Sequence, residues 1–411
     1  MKLVRFIKLV KIMHQLISRD SKGKIRVVEM TTDWNDEEHA FGIYRTTYQL
    51  NGKRTEQPAI YIRVGKASRT LREQLELEYK SNMKKYLDKG YKLLEKPIDQ
   101  YTEDELHAII GDVVTDSSGF AKHMLAKQAD KVKDSSIEKV KVWAVSRKID
   151  GVRCSFYWKD GEVKSASRGG GDYDYSTYQL REHPTLIKFL QEHPDWVLDG
   201  ELYKHGKSLQ QISGAARMEK VATGCDWLEY YVYDIMAPEV PFSERLQMLE
   251  TLAFELNLGF NPEREWEKDE LRIQIIPQEI ICEDNKKDQI MELHNQYVSE
   301  GWEGCVARDV SKPYKYGGRG MEMVKFKMYQ DAEFEITGIS EGLRPEDMCF
   351  TLITEDGIEF KAKPMGSREL KEQYREDLDK LIGKMATVKY FYLSDEGTPL
   401  QPVLKAIRDY D

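Results

Sequence analysis

The sequence predicts an α+β protein of two or three domains, and three features predict it. Its 411 residues are enough for two or three separate cores. Apolar residues recur in short runs that alternate with polar ones and end in turn dipeptides such as Asn51-Gly52 and Asp160-Gly161. Three stretches, 70–89, 103–110 and 242–256, read as helices set between those runs.

Composition narrows the class. Hydrophobic content of 40% with 32% charged residues is that of a globular protein, and no apolar run is long enough to span a bilayer, so a membrane is not expected as a partner. The basic, apolar start from Met1 to Ile12 is broken by Lys8 and Lys11 and reads as folded protein rather than a signal peptide. Cys154, Cys225, Cys282, Cys305 and Cys349 are scattered and odd in number, which argues against a disulfide framework or a zinc site and for a reducing compartment. Any metal is then expected to be a hard cation on carboxylates and phosphates. Net charge is −9, but residues 1–90 hold 19 basic against 11 acidic side chains, whereas 331–411 hold 11 against 18. The first segment could therefore meet a phosphate backbone.

Taken in order, residues 1–95 form a first unit of strands (Ile25–Val28, Gly42–Leu50, Ala59–Val64) and a helix over 70–89 closed by Gly90. The loop Arg63-Val64-Gly65-Lys66-Ala67-Ser68-Arg69 is basic, and makes Arg63, Lys66 and Arg69 candidate DNA contacts. It is similar to small DNA-binding modules named for a Trp-Gly-Arg signature, with the tryptophan absent. Residues 96–120 read as a linker with one short helix.

The strand 142–145 then delivers Lys148, followed by a turn at Asp150-Gly151 and a second strand opening with Val152-Arg153. A lysine at a strand end can act as a nucleophile if desolvation or nearby cations disfavour its ammonium form. If strand geometry persists, Asp150 faces the same side. A hairpin through Trp158-Lys159-Asp160-Gly161-Glu162 returns Arg168, with its following glycines, towards Lys148 and Arg153. Asp199 and Glu201 share one face of the strand 196–203, where they need a hydroxyl, a metal or a basic residue as partner. The strand 228–236 carries Tyr233, able to stack on a base, and a helix over 242–256, capped by Ser243, turns Leu246, Leu249 and Leu256 inward. Glu303 opens a strand that runs to Arg308. The loop 312–319 is basic and aromatic, with Lys315 and Arg319 suited to phosphates and so candidate DNA contacts. Lys325 and Lys327 project together from an alternating strand, Val324 to Met328, and call for an anion such as a triphosphate or phosphodiester.

The ordered set Lys148-x-Asp150-Gly151-x-Arg153, Ser167-Arg168-x-Gly170, Asp199-Gly200-Glu201, Tyr233-Asp234, Glu303-Gly304 and Lys325-x-Lys327 resembles the six-motif pattern of covalent nucleotidyltransferases. Within that superfamily it looks most like ATP-dependent DNA ligases of the compact viral and phage type. Gly383-Lys384 to Phe391 and Pro402 to Arg408 are similar to that family's last motif. The resemblance runs from about Met124 to the end of the sequence.

It implies an ATP-grasp-like nucleotidyltransferase (adenylation) domain at 121–330 and an OB-fold β-barrel at 331–411, behind the small α+β N-terminal domain. Lys148 would attack the α-phosphate of ATP. Arg153, Arg168, Glu201, Tyr233, Lys325, Lys327 and Arg408 would bind the nucleotide, and Glu201 and Glu303 would hold Mg²⁺ or Mn²⁺. AMP would pass to the 5′-phosphate of a nick or end in duplex DNA, which a 3′-hydroxyl then seals. A monomer acting in the cytoplasm of a bacterial or phage-infected cell is expected.

Ser146 stands where relatives often carry an acid two residues before the lysine, and Leu400 or Gln401 stands where they carry an arginine, leaving Lys405 and Arg408 as pyrophosphate-orienting groups. The alternatives on the same lysine chemistry are an RNA ligase and a capping-type guanylyltransferase. Outside it stands an inactive DNA-end-binding relative.

Overall fold

The computed structural model describes residues 13–116, 118–218, 224–327, 329–340, 348–394 and 396–408, so the start read as folded protein from Met1 to Ile12, and Met328, lie outside it. The chain divides into two compact units, Met1–Lys327 and Met328–Asp411. Among the described residues no helix is long and apolar enough to cross a membrane.

The first unit opens with strands β1 (Met13–Arg19), β2 (Ile25–Asn35), β3 (Ala40–Gln49), β4 (Thr55–Ile62) and β5 (Lys92–Leu93) in the order β4-β3-β2-β1-β5. Helix α1 (Leu71–Leu87) starts at a capping box in which the Thr70 hydroxyl accepts from Glu73 N and Glu73 reaches back to Thr70 N. Period-two alternation lets one face of the sheet pack Leu16, Val28 and Met30 with Leu75 and Tyr79 of α1. The other face packs Ile17, Ile25 and Val27 with Leu106 and Ile110 of α2 (Glu103–Ile110).

Two further sheets follow. Strands β6 (Lys127–Gln128), β7 (Trp143–Lys148), β8 (Val152–Lys159), β9 (Glu162–Ser167), β10 (Val197–Tyr203), β11 (Glu229–Ile235), β12 (Ile273–Ile275), β13 (Glu279–Ile281), β14 (Gly304–Asp309) and β15 (Met323–Lys327) sort into the orders β13-β7-β14-β15-β6 and β12-β11-β10-β8-β9. Helices α3 (Asp134–Glu138), α4 (Tyr178–Arg181), α5 (Pro184–Glu192), α6 (Leu209–Ala216), α7 (Phe242–Glu255) and α8 (Lys286–Ser299) lie between them in the chain. One core joins both sheets, with Trp143, Val145, Cys305 and Phe326 from the first and Cys154, Phe156, Leu198 and Tyr230 from the second.

β7 and β8 are not hairpin partners: the chain crosses from one sheet to the other at residues 149–151. Strand geometry therefore stops at Lys148, and the expectation that Asp150 continues its face does not hold. Glycine is required at 151 because a Cβ there would sit 2.4 Å from Leu202 O and 2.8 Å from Glu201 Cγ. The 242–256 helix also begins differently from the expectation. Pro241 is its N-cap without a side-chain bond, and Ser243 lies inside the first turn.

The second unit is a closed five-stranded barrel, β16 (Gln330–Ser340), β17 (Cys349–Ile353), β18 (Glu359–Pro364), β20 (Val403–Ile407) and β19 (Met385–Tyr390), with α9 (Arg368–Glu376) and α10 (Leu378–Leu381) between β18 and β19. Alternate residues Ile336, Phe350, Leu352, Ala362, Val388 and Leu404 fill its interior. All pairs are antiparallel except β18 with β20.

Candidate active site

Strand register builds the first half of the site. Gly304 is opposite Lys148 on one side and Lys327 on the other, so Glu303, just before Gly304, falls between the two lysines. Glu303 N also donates to Lys148 O at 3.1 Å. The Glu303 carboxylate forms ion pairs with both amines. The anion that two projecting lysines demand is thus partly supplied by the protein. Burial disfavours the Lys148 charge, but Glu303, Glu201 and Asp150 outweigh it and hold the ammonium above the ordinary lysine value. This reverses the sequence-level expectation of a depressed nucleophile. Burial likewise opposes the Glu303 charge, and Lys148 with Lys327 overcomes it, so that its carboxyl stays below the usual range. Lys325 has no such partner among the described residues. Burial, then Lys327 and Lys148, push it down to about 8.

The facing sheet supplies the second half. Glu201 pairs in register with Arg153, and Asp199 with Ser155. The Arg153 guanidinium grips Asp199 through Nε to Oδ1 at 2.9 Å and Nη2 to Oδ2 at 2.5 Å, and Nη1 donates to Met124 O at 2.7 Å. Of the partners open to the paired acids, Asp199 takes the basic one. Glu201 is left with the Tyr233 hydroxyl at 3.2 Å; burial pushes its carboxyl up to about 7, against the pull of Lys148 and Arg153. Tyr233 and Asp234 alternate on β11, and Asp234 is fixed by Arg245, Nε to Oδ1 2.7 Å. The β8–β9 register sets Ser167 opposite Cys154, so the hairpin returns Arg168 to this end as expected. Of the glycines after it, Gly170 serves the protein's own packing: it has φ +89°, and a Cβ there would lie 2.8 Å from Asp116 Cγ.

Lys148, Arg153, Arg168, Glu201, Tyr233, Arg319 and Lys325 line one cleft. Arg319, expected as a DNA contact, is therefore inside it. Ser146 and Arg308, which carried no role in the sequence reading, also line it, with Arg308 Nη1 3.2 Å from Ser146 Oγ. The signal for Arg308 was its place on the strand that Glu303 opens. Leu125, Ala126 and Met323 add apolar wall. Arg168, Arg319 and Lys325 make no ion pair among the described residues, so the cleft presents positive charge without a carboxylate to neutralise it.

The other expected contacts lie elsewhere. Lys315 is paired with Glu322 and Arg63 with Glu38. Arg69 Nε donates to Gln74 Oε1 at 3.1 Å, and Lys66 is exposed. In the second unit Arg408 pairs with Glu333 at 2.9 Å and Lys405 with Asp331 at 2.7 Å. Among the described residues no group of three or more His, Cys, Asp or Glu side chains could cage a metal. The two carboxylates at hand are Glu201, which lines the cleft, and Glu303, which is buried between Lys148 and Lys327. That donor set suits a hard cation completed by substrate phosphates and not one held by protein alone.

The chain has counterparts among known proteins. The sequence model of the family described as the ATP dependent DNA ligase domain matches residues 123–327. A DNA ligase of African swine fever virus (isolate Tick/South Africa/Pretoriuskop Pr4/1996) is 27% identical over 298 residues, covering 69% of this chain and 67% of its own. A DNA ligase of Methanosphaera stadtmanae is 25% identical, over 68% of this chain and 49% of its own. Among solved structures, one from a structure-function study of Lig E DNA ligases shares the fold with a TM-score of 0.52 and 19% identity, over 70% of this chain and all of its own. The family match spans both walls of the cleft, from the segment before Leu125 to Lys327, and the chain belongs to the ATP-dependent DNA ligase family.

Proposed function

We propose that the protein seals 5′-phosphate/3′-hydroxyl nicks in duplex DNA at the expense of ATP, through a lysyl-AMP intermediate on Lys148 and a DNA-adenylate. The observation that carries this is the amine of Lys148 beside Glu303 in a cleft where Arg168, Arg319 and Lys325 have no carboxylate partner among the described residues. A polyphosphate supplies the missing negative charge. Tyr233 offers an aromatic face for the base, and Leu125, Ala126 and Met323 offer it an apolar wall. Glu201 and Glu303 are the carboxylates that would hold Mg²⁺ or Mn²⁺, which supplies positive charge at the phosphates.

In the first step the Lys148 ammonium releases a proton to solvent, the freed amine attacks the α-phosphorus, a P–N bond forms, and the bond to pyrophosphate breaks. Lys325 and Lys327 face the charge that develops on the phosphate oxygens. A 5′-phosphate oxygen then displaces the lysine, the P–N bond breaks and the amine recovers its proton. Finally the 3′-hydroxyl attacks the 5′-phosphorus and AMP leaves.

The barrel reads as an OB-fold, and the first 95 residues as a separate DNA-contacting domain. Arg408 would orient pyrophosphate from the barrel. The scattered cysteines, of which Cys154, Cys225 and Cys305 are buried, fit a reducing compartment.

The test is covalent labelling. With Mg²⁺ and α-labelled ATP, label is expected on Lys148 and lost in Lys148→Ala, while GTP gives none. The variant should still close, slowly, a DNA nick already carrying AMP. Absence of label under any divalent ion, or label on another side chain, overturns the proposal. Label from GTP points to capping chemistry, and closure of RNA nicks alone to an RNA ligase.

A further inference from the structure

Beneath the cleft a closed ring of hydrogen bonds joins Arg153, which lines it, to three groups that do not. Met124 N donates to Tyr314 Oη at 3.0 Å, and that hydroxyl donates to Asp199 Oδ2 at 2.8 Å. Asp199 accepts the Arg153 fork, Nε to Oδ1 at 2.9 Å, and Arg153 Nη1 returns to Met124 O at 2.7 Å. Met124, Asp199 and Tyr314 are at most 3% exposed, so each of these bonds is made away from water, where an orphaned partner is costly.

The ring joins the two irregular segments of the cleft wall. Residues 121–126 present Leu125 and Ala126, and residues 310–322 present Arg319. They are held to each other by Leu125 N to Gly318 O at 2.8 Å and Gly317 N to Lys122 O at 2.9 Å. Neither belongs to a named helix or strand; backbone bonds tie the start of the longer one to residues 238–243, with Phe242 N donating to Lys312 O at 3.0 Å and Pro238 bridging Tyr314, and side chains anchor both against β8 and β10. Tyr314 is the buried anchor of the longer segment that reaches the ring, and its one hydroxyl connects that segment to both the shorter segment and the acid of β10.

We propose that Tyr314 is a positioning residue, whose buried hydroxyl ties Met124 to Asp199 and thereby holds Arg319 and Leu125–Ala126 as one rigid wall of the nucleotide cleft. The proposal rests on the reading of that cleft as an ATP site. Tyr314 touches no substrate. Its removal acts on how well the wall is formed before ATP arrives, which changes binding more than the transfer step.

Tyr314→Phe keeps the ring and removes the hydroxyl. Single-turnover self-labelling measured against ATP concentration should give a half-saturating concentration raised about tenfold with the maximal rate within about twofold of the parent. Tyr316→Phe is the control. It deletes a hydroxyl of the same segment that donates to Met236 O at 3.1 Å, outside the ring, and should leave both parameters unchanged. Asp199→Asn, which keeps the shape but weakens the ring from its other side, should reproduce the binding defect and serves if Tyr314→Phe does not fold. Unchanged half-saturation in Tyr314→Phe or, should it not fold, in Asp199→Asn overturns the proposal, as does an equal loss in Tyr316→Phe or a fall confined to the maximal rate. If the parent is not labelled, the lysyl-AMP reading fails on its own; the shift in Tm produced by ATP then carries the same comparison, and an equal shift in parent and variant sinks this inference.

Discussion

Lys148 is held in its charged form by the carboxylates gathered around it, and chief among them is Glu303. Replacing Glu303 by Gln removes the main support for the ammonium and leaves Lys148 near Lys325 and Lys327, so the amine should lose its proton at a lower pH. An amine-reactive acylating reagent at pH 8 should then modify Lys148 several-fold faster in Glu303→Gln than in the parent, as read by peptide mass spectrometry; equal rates would show that Glu303 does not govern the proton. His123 is a second buried titrating group, 2.7 Å from Ser155 Oγ, and burial pushes it down to about 4. Its folded value lies below its unfolded one, so it binds fewer protons in the native state, and stability falls as pH drops from about 6.5 towards 4. His123→Asn should reduce the stability lost between pH 7 and pH 5 by ~1–2 kcal/mol, measured by urea unfolding at both values. Sequence motifs brought Lys148, Glu201, Tyr233, Glu303 and Lys325 to notice. They could not give the direction of the Lys148 shift, because its partner is 155 residues away and reaches it only through strand register.

At the level of elements, alternation along β8, β10 and β15 was legible because a two-residue period survives any packing. The partition of β7 and β8 into different sheets was not, since Asp150-Gly151 reads equally as a hairpin turn. Gly151→Ala tests that crossing: the added Cβ meets the backbone of β10 at 2.4 Å, a contact that cannot relax by a rotamer change. A loss of roughly 2–4 kcal/mol is expected in thermal or urea unfolding, against a small change for Gly161→Ala in the β8–β9 turn, where the main cost is its positive φ. The helix start at Pro241 escaped the sequence reading for a related reason, because Ser243 offers the better capping side chain but proline fixes where the turn begins.

Across the whole molecule, the excess of basic residues in the first 90 positions suggested a phosphate-contacting surface, and the structure refines which of them are available. Arg63 is engaged by Glu38, whereas Lys66 is exposed and makes no ion pair among the described residues. If this surface meets DNA, Lys66→Gln should reduce the slope of log affinity against log salt by about 1, and Arg63→Gln by less; unchanged slopes in both would remove the surface from the interface. The barrel carries a different consequence. β20 is the strand that bridges β18 and β19, and until it is in place both of those neighbours show unpaired amides and carbonyls. During synthesis the catalytic unit has all its strands by Lys327, whereas the barrel must wait for residues 403–407 to leave the ribosome before it can shut. A nascent chain stalled shortly before that point would carry a finished cleft and a sticky half-barrel, a species for chaperones to shield.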